Sequence, residues 1–357
     1  MLLGMADSLK EMTTTFDQTT VKPENEEDEA IEYKIAAVIF KYYSPIQLTI
    51  ALFGNIMIIL VFSRKSMRNT VTSFLFRVLA VADTFMVLVS LVPEAILELG
   101  NNSIAYSSTS RCKLHGYIYF AGRTYAVWVL ILIVLERFVG VNFPHRASTL
   151  ITKRGAKMAV FSLLIIVYLL YAMMPFALDS KVITNSNGDV INYYCKVGSD
   201  LLRYFTEDIY PVYDLCLYSL IPFVIMMIAN VSIIYRLFQA RRLRSQSTTN
   251  DTNDLIGMTT MLLGISFGFV ISTLPYNIAV LYRKGYGIGH PGSYLFYALG
   301  AVLANFNHCI NFYIYCLTGS KFRREIRKMC CCDTQSEESS SLSNNSRAYQ
   351  STISSVA

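Results

Sequence analysis

Seven long stretches with almost no charged residues constrain this chain more than any other feature of its sequence. They are residues 42–62, 78–93, 114–135, 158–178, 215–235, 255–282 and 291–318. A helix needs about 20 mostly apolar residues to cross the hydrocarbon core of a bilayer. Because that core offers no water to unpaired backbone groups, each stretch is predicted to be a helix. We therefore predict an all-α membrane fold, a bundle of seven transmembrane helices.

The distribution of charge indicates how the bundle is oriented. Hydrophobic residues make up 53% of the chain and charged residues only 16%, which is too few to cover a water-soluble protein. The segments after the first, third, fifth and seventh spans hold 19 basic and seven acidic residues, whereas the whole chain has 31 and 25. The positive-inside rule places these segments in the cytoplasm and the N-terminus outside. We expect a multi-pass protein of the plasma membrane with no nucleic-acid partner.

Three regions follow from this pattern. Residues 1–40 are predicted to be a disordered extracellular tail, with an acidic run within 24–29. Residues 41–332 form the membrane domain, and residues 333–357 a Ser-rich cytoplasmic tail. Residues 1–12 lack the apolar segment of a signal peptide, so the first span is expected to serve as the signal anchor.

Two short elements are predicted at the membrane surfaces. The dipeptide Asn187-Gly188, beside the strand-like residues 190–194, predicts a β-hairpin in the second outer loop. After Gly319, residues 321–329 predict a short amphipathic helix on the cytoplasmic face, with Phe322 and Ile326 facing lipid.

The eight cysteines divide between the two sides of the membrane. Cys112 at the outer end of the third span and Cys195 in the second outer loop both face the oxidising side. No other outer-loop cysteine competes, so we predict a Cys112–Cys195 disulfide. Candidates for S-palmitoylation, which would attach the amphipathic helix to membrane lipids, are Cys330, Cys331 and Cys332. The cysteines expected to pack inside spans are Cys216, Cys309 and Cys316.

Asp83 is an ionisable residue in the middle of the second span, where a charge is costly unless it serves a function. The asparagines at a comparable depth in other spans are Asn55, Asn307 and Asn311. The four side chains are predicted to hold a hydrated Na⁺ ion or to form a hydrogen-bond network that rearranges. A purely structural polar cluster is the alternative, and no other cofactor or metal is expected.

Glu136 and Arg137 lie at the opposite end of the third span from Cys112. Arg137 follows Cys112 by 25 residues, which is about 37 Å of helix. An arginine there can pair with Glu136 in a resting state and, once released, reach into an opened inner cavity. The alternative is an interfacial arginine whose side chain only extends to the membrane surface.

Two prolines lie in the middle of spans. Pro222 and Pro275 each remove a backbone hydrogen bond and permit a kink in the fifth and sixth spans. Phe269 is expected to face the bundle at the level where a swinging inner half-helix must repack.

These residues together resemble the rhodopsin-like (class A) G-protein-coupled receptors over about residues 40–332. The matching pieces, in chain order, are Gly54-Asn55, residues 79–83, Cys112, residues 136–138 with Pro144, Pro222, Phe269 with Pro275, residues 311–315 and Phe322-Arg323. The resemblance implies that a heterotrimeric G protein is activated through Glu136, Arg137, Phe138, Pro144 and Tyr315. It further implies that Arg137 contacts the G protein, that Asp83 is the carboxylate of a Na⁺ site, and that Tyr315 swings inward on activation.

The chain departs from the family pattern along the activation relay. Glu136 replaces the aspartate before the arginine, and Phe138 replaces the tyrosine after it. Thr273 stands where the family has a tryptophan two residues before the sixth-span proline, so the usual aromatic toggle is absent. Phe312 replaces the seventh-span proline, and Asn230 replaces the tyrosine after Pro222 in the fifth span.

A ligand pocket is expected in the outer third of the bundle. Its candidate residues are Glu94, Tyr119, Arg123, Asp214, Tyr276, Asn277 and Tyr297. Tyr119 stands where amine receptors carry an aspartate, and Asn305 where opsins carry the retinal lysine, which disfavours an amine ligand and excludes retinal. Glu94 and Arg123 are predicted to pair with each other or else to hold the two charges of a ligand. Acidic groups among aromatic rings suit a short peptide that ends in Arg and Phe.

Residues 307–325 are similar to the FMRFamide receptors and related invertebrate neuropeptide receptors, which implies an extracellular peptide ligand, such as an amidated one. Orphan-type receptors for aromatic amino acids or small metabolites share the pattern and are the alternative. A transporter or channel is a distant alternative, because the chain has no internal repeat and few ionisable groups in its spans. No nucleophile–base or metal-ligand spacing indicates an enzyme.

Two further features point to modification and regulation. Asn101 begins a glycosylation sequon in an outer loop. The tail serines beside Glu337 and Glu338 are Ser336, Ser339, Ser340, Ser341 and Ser343. Phosphorylated by receptor kinases, they would form an anionic patch suited to arrestin, and an inert solvated tail is the alternative.

Overall fold

A computed structural model of the chain describes residues 26–98, 106–184, 190–197, 204–205, 209–243, 250–286 and 291–330. The first helices are α1 (Glu26–Ser63), α2 (Val71–Glu98), α3 (Thr109–Asn142), α4 (Pro144–Leu150), α5 (Lys153–Leu170) and α6 (Met174–Ala177). A hairpin of β1 (Leu178–Thr184) and β2 (Val190–Val197) follows. The later helices are α7 (Tyr210–Leu215), α8 (Ile221–Leu243), α9 (Asn250–Tyr286), α10 (Pro291–Thr318) and α11 (Ser320–Cys330).

The bundle contains the seven spans predicted from the sequence. Among the described residues, six segments are long and apolar enough to cross a membrane, in α1, α2, α3, α5 with α6, α7 with α8, and α9. The seventh is α10, 28 residues long and packed against α9 and α1. The mean hydropathy of α10 is lower than that of the other six, because its apolar sequence contains polar residues such as Asn305, Asn307 and His308. These residues are buried and face the interior of the bundle. The chain is therefore a multi-pass membrane protein.

The helix α1 begins at Glu26, so the prediction of a disordered tail as far as residue 40 is wrong for residues 26–40. The acidic residues 26–29 had indicated a solvated segment. The rest of the tail, residues 1–25, lies outside the described residues.

The hairpin and the disulfide are both confirmed. The strands β1 and β2 pair antiparallel, with Ser180 opposite Cys195. Cys195 is bonded to Cys112 in the first turn of α3, with 5.7 Å between the two Cα atoms. Thr109 Oγ1 also donates a 2.5 Å hydrogen bond to Asp179 Oδ1, and this bond lowers the pKa of Asp179. The hairpin is thus fixed to α3 at two points, and we call this end of the bundle the disulfide end.

The opposite end, called here the α11 end, is closed by a cluster of aromatic rings. The Phe62 and Phe76 rings stack at 4.8 Å, and the Tyr315 ring meets Phe76 at 5.0 Å and Phe322 at 5.5 Å. Phe322 is only 2% exposed, and Ile326 packs on the same core, so the prediction that both face lipid is wrong. The tight corner at the α10–α11 junction brings the apolar face of α11 onto the bundle rather than onto the bilayer.

Gly319 makes that corner. The helix α10 ends at Thr318 and α11 begins at Ser320, as the sequence predicted. A Cβ at Gly319 would lie 2.8 Å from the Tyr315 carbonyl oxygen and 3.1 Å from the Phe322 Cβ, too close for any larger residue. Glu325 of α11 then forms a 3.0 Å ion pair with Arg64, which ties α11 to the end of α1.

The two prolines of the fifth and sixth spans lie within long helices. Pro275 is inside α9, and Pro222 is the second residue of α8. A π-helical turn, Cys216–Leu220, joins α7 to α8 and ends two residues before Pro222, and the sequence did not predict it. Single π-turns inside helices are often found at functional sites because they re-aim the neighbouring side chains. Here the turn carries Tyr218 into the interior, where it is 1% exposed.

Candidate functional site

A buried ion pair lies between α3 and α7 in the half of the bundle nearer the disulfide. Arg123 is 3% exposed, and its guanidinium donates to the carboxylate of Asp214. Asp214 Oδ1 also accepts a 2.9 Å hydrogen bond from Tyr171 OH, and Thr124 Oγ1 lies 2.9 Å from the same hydroxyl. The carboxylate is therefore held both by α3 and by Tyr171, the residue that follows α5, as a charge with little access to solvent requires.

Aromatic rings surround the guanidinium of Arg123. Its Cζ lies 4.2 Å from the ring centroid of Tyr218 and 5.0 Å from that of Phe120. The rings of Tyr119 and Tyr276 follow at 5.5 Å and 5.8 Å. Each cation–π contact of this kind contributes about 0.5–2 kcal/mol, most when the cation is desolvated. We call Arg123, Asp214 and these four rings the arginine cage.

The predicted pairing of Arg123 with Glu94 is wrong, because Arg123 pairs with Asp214. Glu94 is buried on α2, where its Oε2 accepts a 3.1 Å hydrogen bond from Tyr43 OH of α1. Tyr43 OH in turn accepts a 3.1 Å bond from Asn305 Nδ2 of α10. Glu94 thus contacts Tyr43 of α1. Nothing in the sequence distinguished Tyr43 from its many neighbouring aromatic residues.

The other predicted pocket residues lie around the cage. The Tyr297 ring packs on that of Tyr276 at 5.6 Å, and Asn277 Nδ2 donates a 2.6 Å hydrogen bond to Ser219 Oγ. A cavity of about 10 Å³, the room of roughly one water molecule, lies beneath the cage. It is lined by Met86, Tyr119, Arg123, Tyr218, Tyr276, Ala301, Ala304, Asn305 and His308. The cavity therefore connects the arginine cage to α10.

Asp83 forms the next polar centre toward the α11 end, and it is 1% exposed. Its Oδ1 lies 2.7 Å from His308 Nδ1, and its Oδ2 accepts a 2.8 Å hydrogen bond from Asn311 Nδ2. Asn55 Nδ2 donates a 3.2 Å bond to the backbone oxygen of His308, so it supports the network without touching the carboxylate. His308, which sequence reasoning did not place in this network, supplies the main contact. The available signal was that residues 291–318 contain no Asp, Glu, Lys or Arg, so His308 is the only residue among them that can be charged near neutral pH.

Glu136 and Arg137 form the predicted ion pair at the α11 end of α3. Arg137 Nε lies 2.9 Å from Glu136 Oε2. Thr72 of α2 joins the two residues, because its Oγ1 donates to Glu136 Oε1 at 3.0 Å and accepts a hydrogen bond from Arg137 Nη2. The Phe138 ring packs against Phe143, the residue before Pro144 at the start of α4. Thr72 was missed by sequence reasoning, since its role depends on the relative position of α2 and α3.

Tyr315 points into the aromatic cluster of the α11 end and is fully buried. Among the described residues its hydroxyl has no hydrogen-bond partner. A buried hydroxyl without a partner costs about 1–3 kcal/mol, so this side chain is held by ring packing alone.

The sixth span reaches the arginine cage without a tryptophan. Thr273 Oγ1 donates a 2.7 Å hydrogen bond to the Phe269 carbonyl oxygen in its own helix. Phe269 is fully buried, and its ring lies 6.3 Å from that of Tyr218, the closest ring to Arg123. Tyr218, one of the four rings of the cage, thus links Arg123 to the middle of α9.

Several predicted sites lie outside the described residues. They are the sequon at Asn101, the lipidation candidates Cys331 and Cys332, and the tail serines from Ser336 to Ser343. Cys330 is the last residue of α11.

Comparison with known proteins gives a consistent picture. The model of the family described as 7 transmembrane receptor (rhodopsin family) matches residues 54–315. The FMRFamide receptor of Drosophila melanogaster is 26% identical over 84% of this chain and 54% of its own length, so this chain spans about half of that relative. The FMRFamide peptide receptor frpr-18 of Caenorhabditis elegans is 25% identical over 81% of this chain and 69% of its own length. The thyrotropin-releasing hormone receptor of Mus musculus is 23% identical over 93% and 86%.

The ion pair of the arginine cage makes a testable contribution to stability. Replacing Asp214 by Leu leaves the Arg123 charge buried without its partner, and we expect the folding free energy to fall by about 3–5 kcal/mol. The double variant Arg123→Met/Asp214→Leu removes both charges and is expected to recover most of that loss. The measurement is the Tm of the purified protein in detergent, with the lipid-facing Val212→Ala as a matched control. A double variant no more stable than Asp214→Leu alone would contradict the assignment.

Proposed function

The chain belongs to the seven-transmembrane receptors of the rhodopsin family, and from this premise we propose that it is a receptor for a short neuropeptide. The peptide binds at the disulfide end, and the receptor activates heterotrimeric G proteins by opening the helix bundle at the α11 end. The observation that carries the proposal is the arginine cage, a buried Arg123–Asp214 pair inside four aromatic rings.

The chemistry of the cage fits a peptide that ends in Arg and Phe. A ligand guanidinium can take the place of Arg123 at Asp214, since both ions make the same hydrogen bonds to a carboxylate. Released in this way, Arg123 can donate to a carbonyl oxygen of the peptide terminus. A ligand phenyl ring finds aromatic partners in Tyr119 and Tyr276. Relatives named for the FMRFamide peptide and for thyrotropin-releasing hormone support a peptide rather than an amino acid or a metabolite.

Orientation in the plasma membrane is part of the proposal. Disulfides persist on the oxidising side of a membrane, which supports an extracellular position for the Cys112–Cys195 end. The basic residues near the other end support a cytoplasmic α11 end and an extracellular N-terminus. The two arguments use different residues and agree.

The contacts of Arg137 suggest how the α11 end signals to the G protein. While Arg137 is held by Glu136 and Thr72, it is directed toward α2 and closed to a partner. Opening of the α11 end that separates Arg137 from Thr72 would free Arg137 to contact the G protein and would open space for Tyr315. Receptor kinases, arrestin and membrane lipids would act on the cytoplasmic tail and on α11, whose last turn carries Arg327 and Lys328.

The proposal is tested by a peptide screen on cells that express the receptor. The library contains short peptides with free and amidated C-termini, and calcium and cAMP are measured together. We expect the active peptides to carry a basic residue followed by an aromatic residue at the C-terminus, with cells lacking the receptor as the control. A receptor that responds to aromatic amino acids and to no peptide would overturn the proposal.

Glu94, buried beside Tyr43, is expected to add to the attraction that Asp214 exerts on positive charge in the ligand. For an active peptide with arginine, Glu94→Gln should weaken binding roughly 10- to 100-fold, because a charge-assisted hydrogen bond contributes about 1.5–3 kcal/mol. The same peptide with the neutral citrulline in place of arginine should lose little on this substitution. Binding constants of the two peptides on both receptors form a double-mutant cycle. Equal losses of affinity for both peptides would show that Glu94 does not recognise the positive charge of the ligand.

Arg137 is expected to be essential for output and dispensable for binding. Arg137→Ala should abolish peptide-stimulated nucleotide exchange on the G protein, while the peptide still binds. Exchange is measured in membranes with the peptide identified by the screen. The exposed Arg154→Ala at the start of α5 is the matched control for loss of a positive charge. Normal exchange in Arg137→Ala would eliminate the proposed role.

A further inference from the structure

Asp83 stands where the family resemblance implies a Na⁺ site, but its surroundings differ from those that such an ion needs. We infer that His308 takes the place of the sodium ion, so that Asp83 binds no Na⁺ at physiological concentration and is instead coupled through His308 to the arginine cage. The inference concerns the resting receptor and does not depend on the identity of the ligand.

The oxygens that a cation requires are engaged or absent around Asp83. A hard cation in a protein is held by several oxygen ligands that replace its water shell. Both carboxylate oxygens of Asp83 already face nitrogen atoms, Oδ1 at 2.7 Å from His308 Nδ1 and Oδ2 at 2.8 Å from Asn311 Nδ2. Asn311 Oδ1 is buried and lacks a hydrogen-bond partner among the described residues. One neutral acceptor of this kind cannot replace the hydration of an ion.

The asparagines expected to complete a sodium site contribute no further ligand. The Asn55 side chain donates its amide to the His308 backbone oxygen at 3.2 Å. Asn307 is buried, but among the described residues it makes no hydrogen bond to Asp83. The residues present therefore do not fit Na⁺.

The imidazole of His308 supplies the partner that the buried carboxylate of Asp83 would otherwise find in a sodium ion. A carboxylate as deeply buried as Asp83 is costly unless a partner shares its charge or hydrogen-bonds to it. His308 is 3% exposed and lies against Asp83, so the partner is covalently part of α10.

This arrangement couples the arginine cage to Asp83. His308 lines the cavity together with Arg123 and Tyr276, and its ring contacts Asp83 on the other side. Asn305, which lies one helical turn before His308, lines the same cavity and donates to Tyr43 OH beside Glu94. A movement of Arg123 or Tyr276 on ligand binding would therefore act on Asp83 through the side chain of His308. His308 is a positioning residue in this account.

The test compares the Tm of the purified receptor in about 0.15 M NaCl with that in N-methyl-D-glucamine chloride of the same ionic strength. We expect the wild-type Tm to differ by less than about 1 °C between the two salts. His308→Ser replaces the imidazole by a hydroxyl oxygen and leaves space for water molecules, so that Asp83, the hydroxyl and these waters can together supply the oxygen ligands of the ion. This variant should gain a Na⁺-specific rise in Tm of about 2–4 °C.

Two controls make the result specific. Cys316→Ser adds the same hydroxyl to α10 away from Asp83 and should stay insensitive to Na⁺, whereas His308→Ser/Asp83→Asn should lose the gain. Binding of radioactive ²²Na⁺ to the wild-type receptor supplies a measurement that needs no variant to fold. Saturable ²²Na⁺ binding to wild type near 0.15 M, about the physiological ionic strength, would overturn the inference. An absent gain in His308→Ser, or a gain that survives Asp83→Asn, would overturn it too.

Discussion

The cost of burying charge inside an apolar helix bundle governs this structure. Arg123 and Asp83 are nearly excluded from solvent, and the side chain of Asp214, the partner of Arg123, is only 13% exposed. Each charge of this kind costs several kcal/mol unless partners surround it. The helices must therefore be arranged so that α3 meets α7 at one level and α2 meets α10 at another. The positions of these pairs fix the rotation of the helices about their own axes, which apolar packing alone leaves loosely determined.

The same constraint makes the bundle responsive to a ligand. A buried pair can exchange one partner for another at small net cost, whereas losing a partner outright is expensive. A ligand that brings its own charge to Asp214 would thus shift Arg123 without leaving a bare ion. Tyr218 touches both the Arg123 guanidinium and the Phe269 ring, so such a shift reaches the middle of α9 by direct contact. The absent tryptophan at Thr273 is therefore not needed for a mechanical connection.

The sequence was informative wherever a local pattern determines the structure. Length and hydropathy located the spans, Asn187-Gly188 marked the hairpin, and the placement of Cys112 and Cys195 predicted the disulfide. Partners across helices were harder, because hydropathy says which residues lie in a span and little about the direction in which each side chain points. Glu94 and Arg123 lie at similar depth and yet face different neighbours. The inward turn of Phe322 likewise depends on the corner at Gly319.

The departure from the family pattern at Phe312 increases the importance of α10 for communication between the two ends of the bundle. Phe312 in place of proline leaves α10 a continuous helix, and its ring packs on Phe53 and Phe322. A continuous α10 transmits a displacement at Asn305 directly to His308 and Asn311, because residues three apart lie on one face. The helix α10 therefore offers a path within a single helix between the ligand end and Asp83. His308 lies at the centre of that path, in contact with the cavity on one side and with the carboxylate on the other.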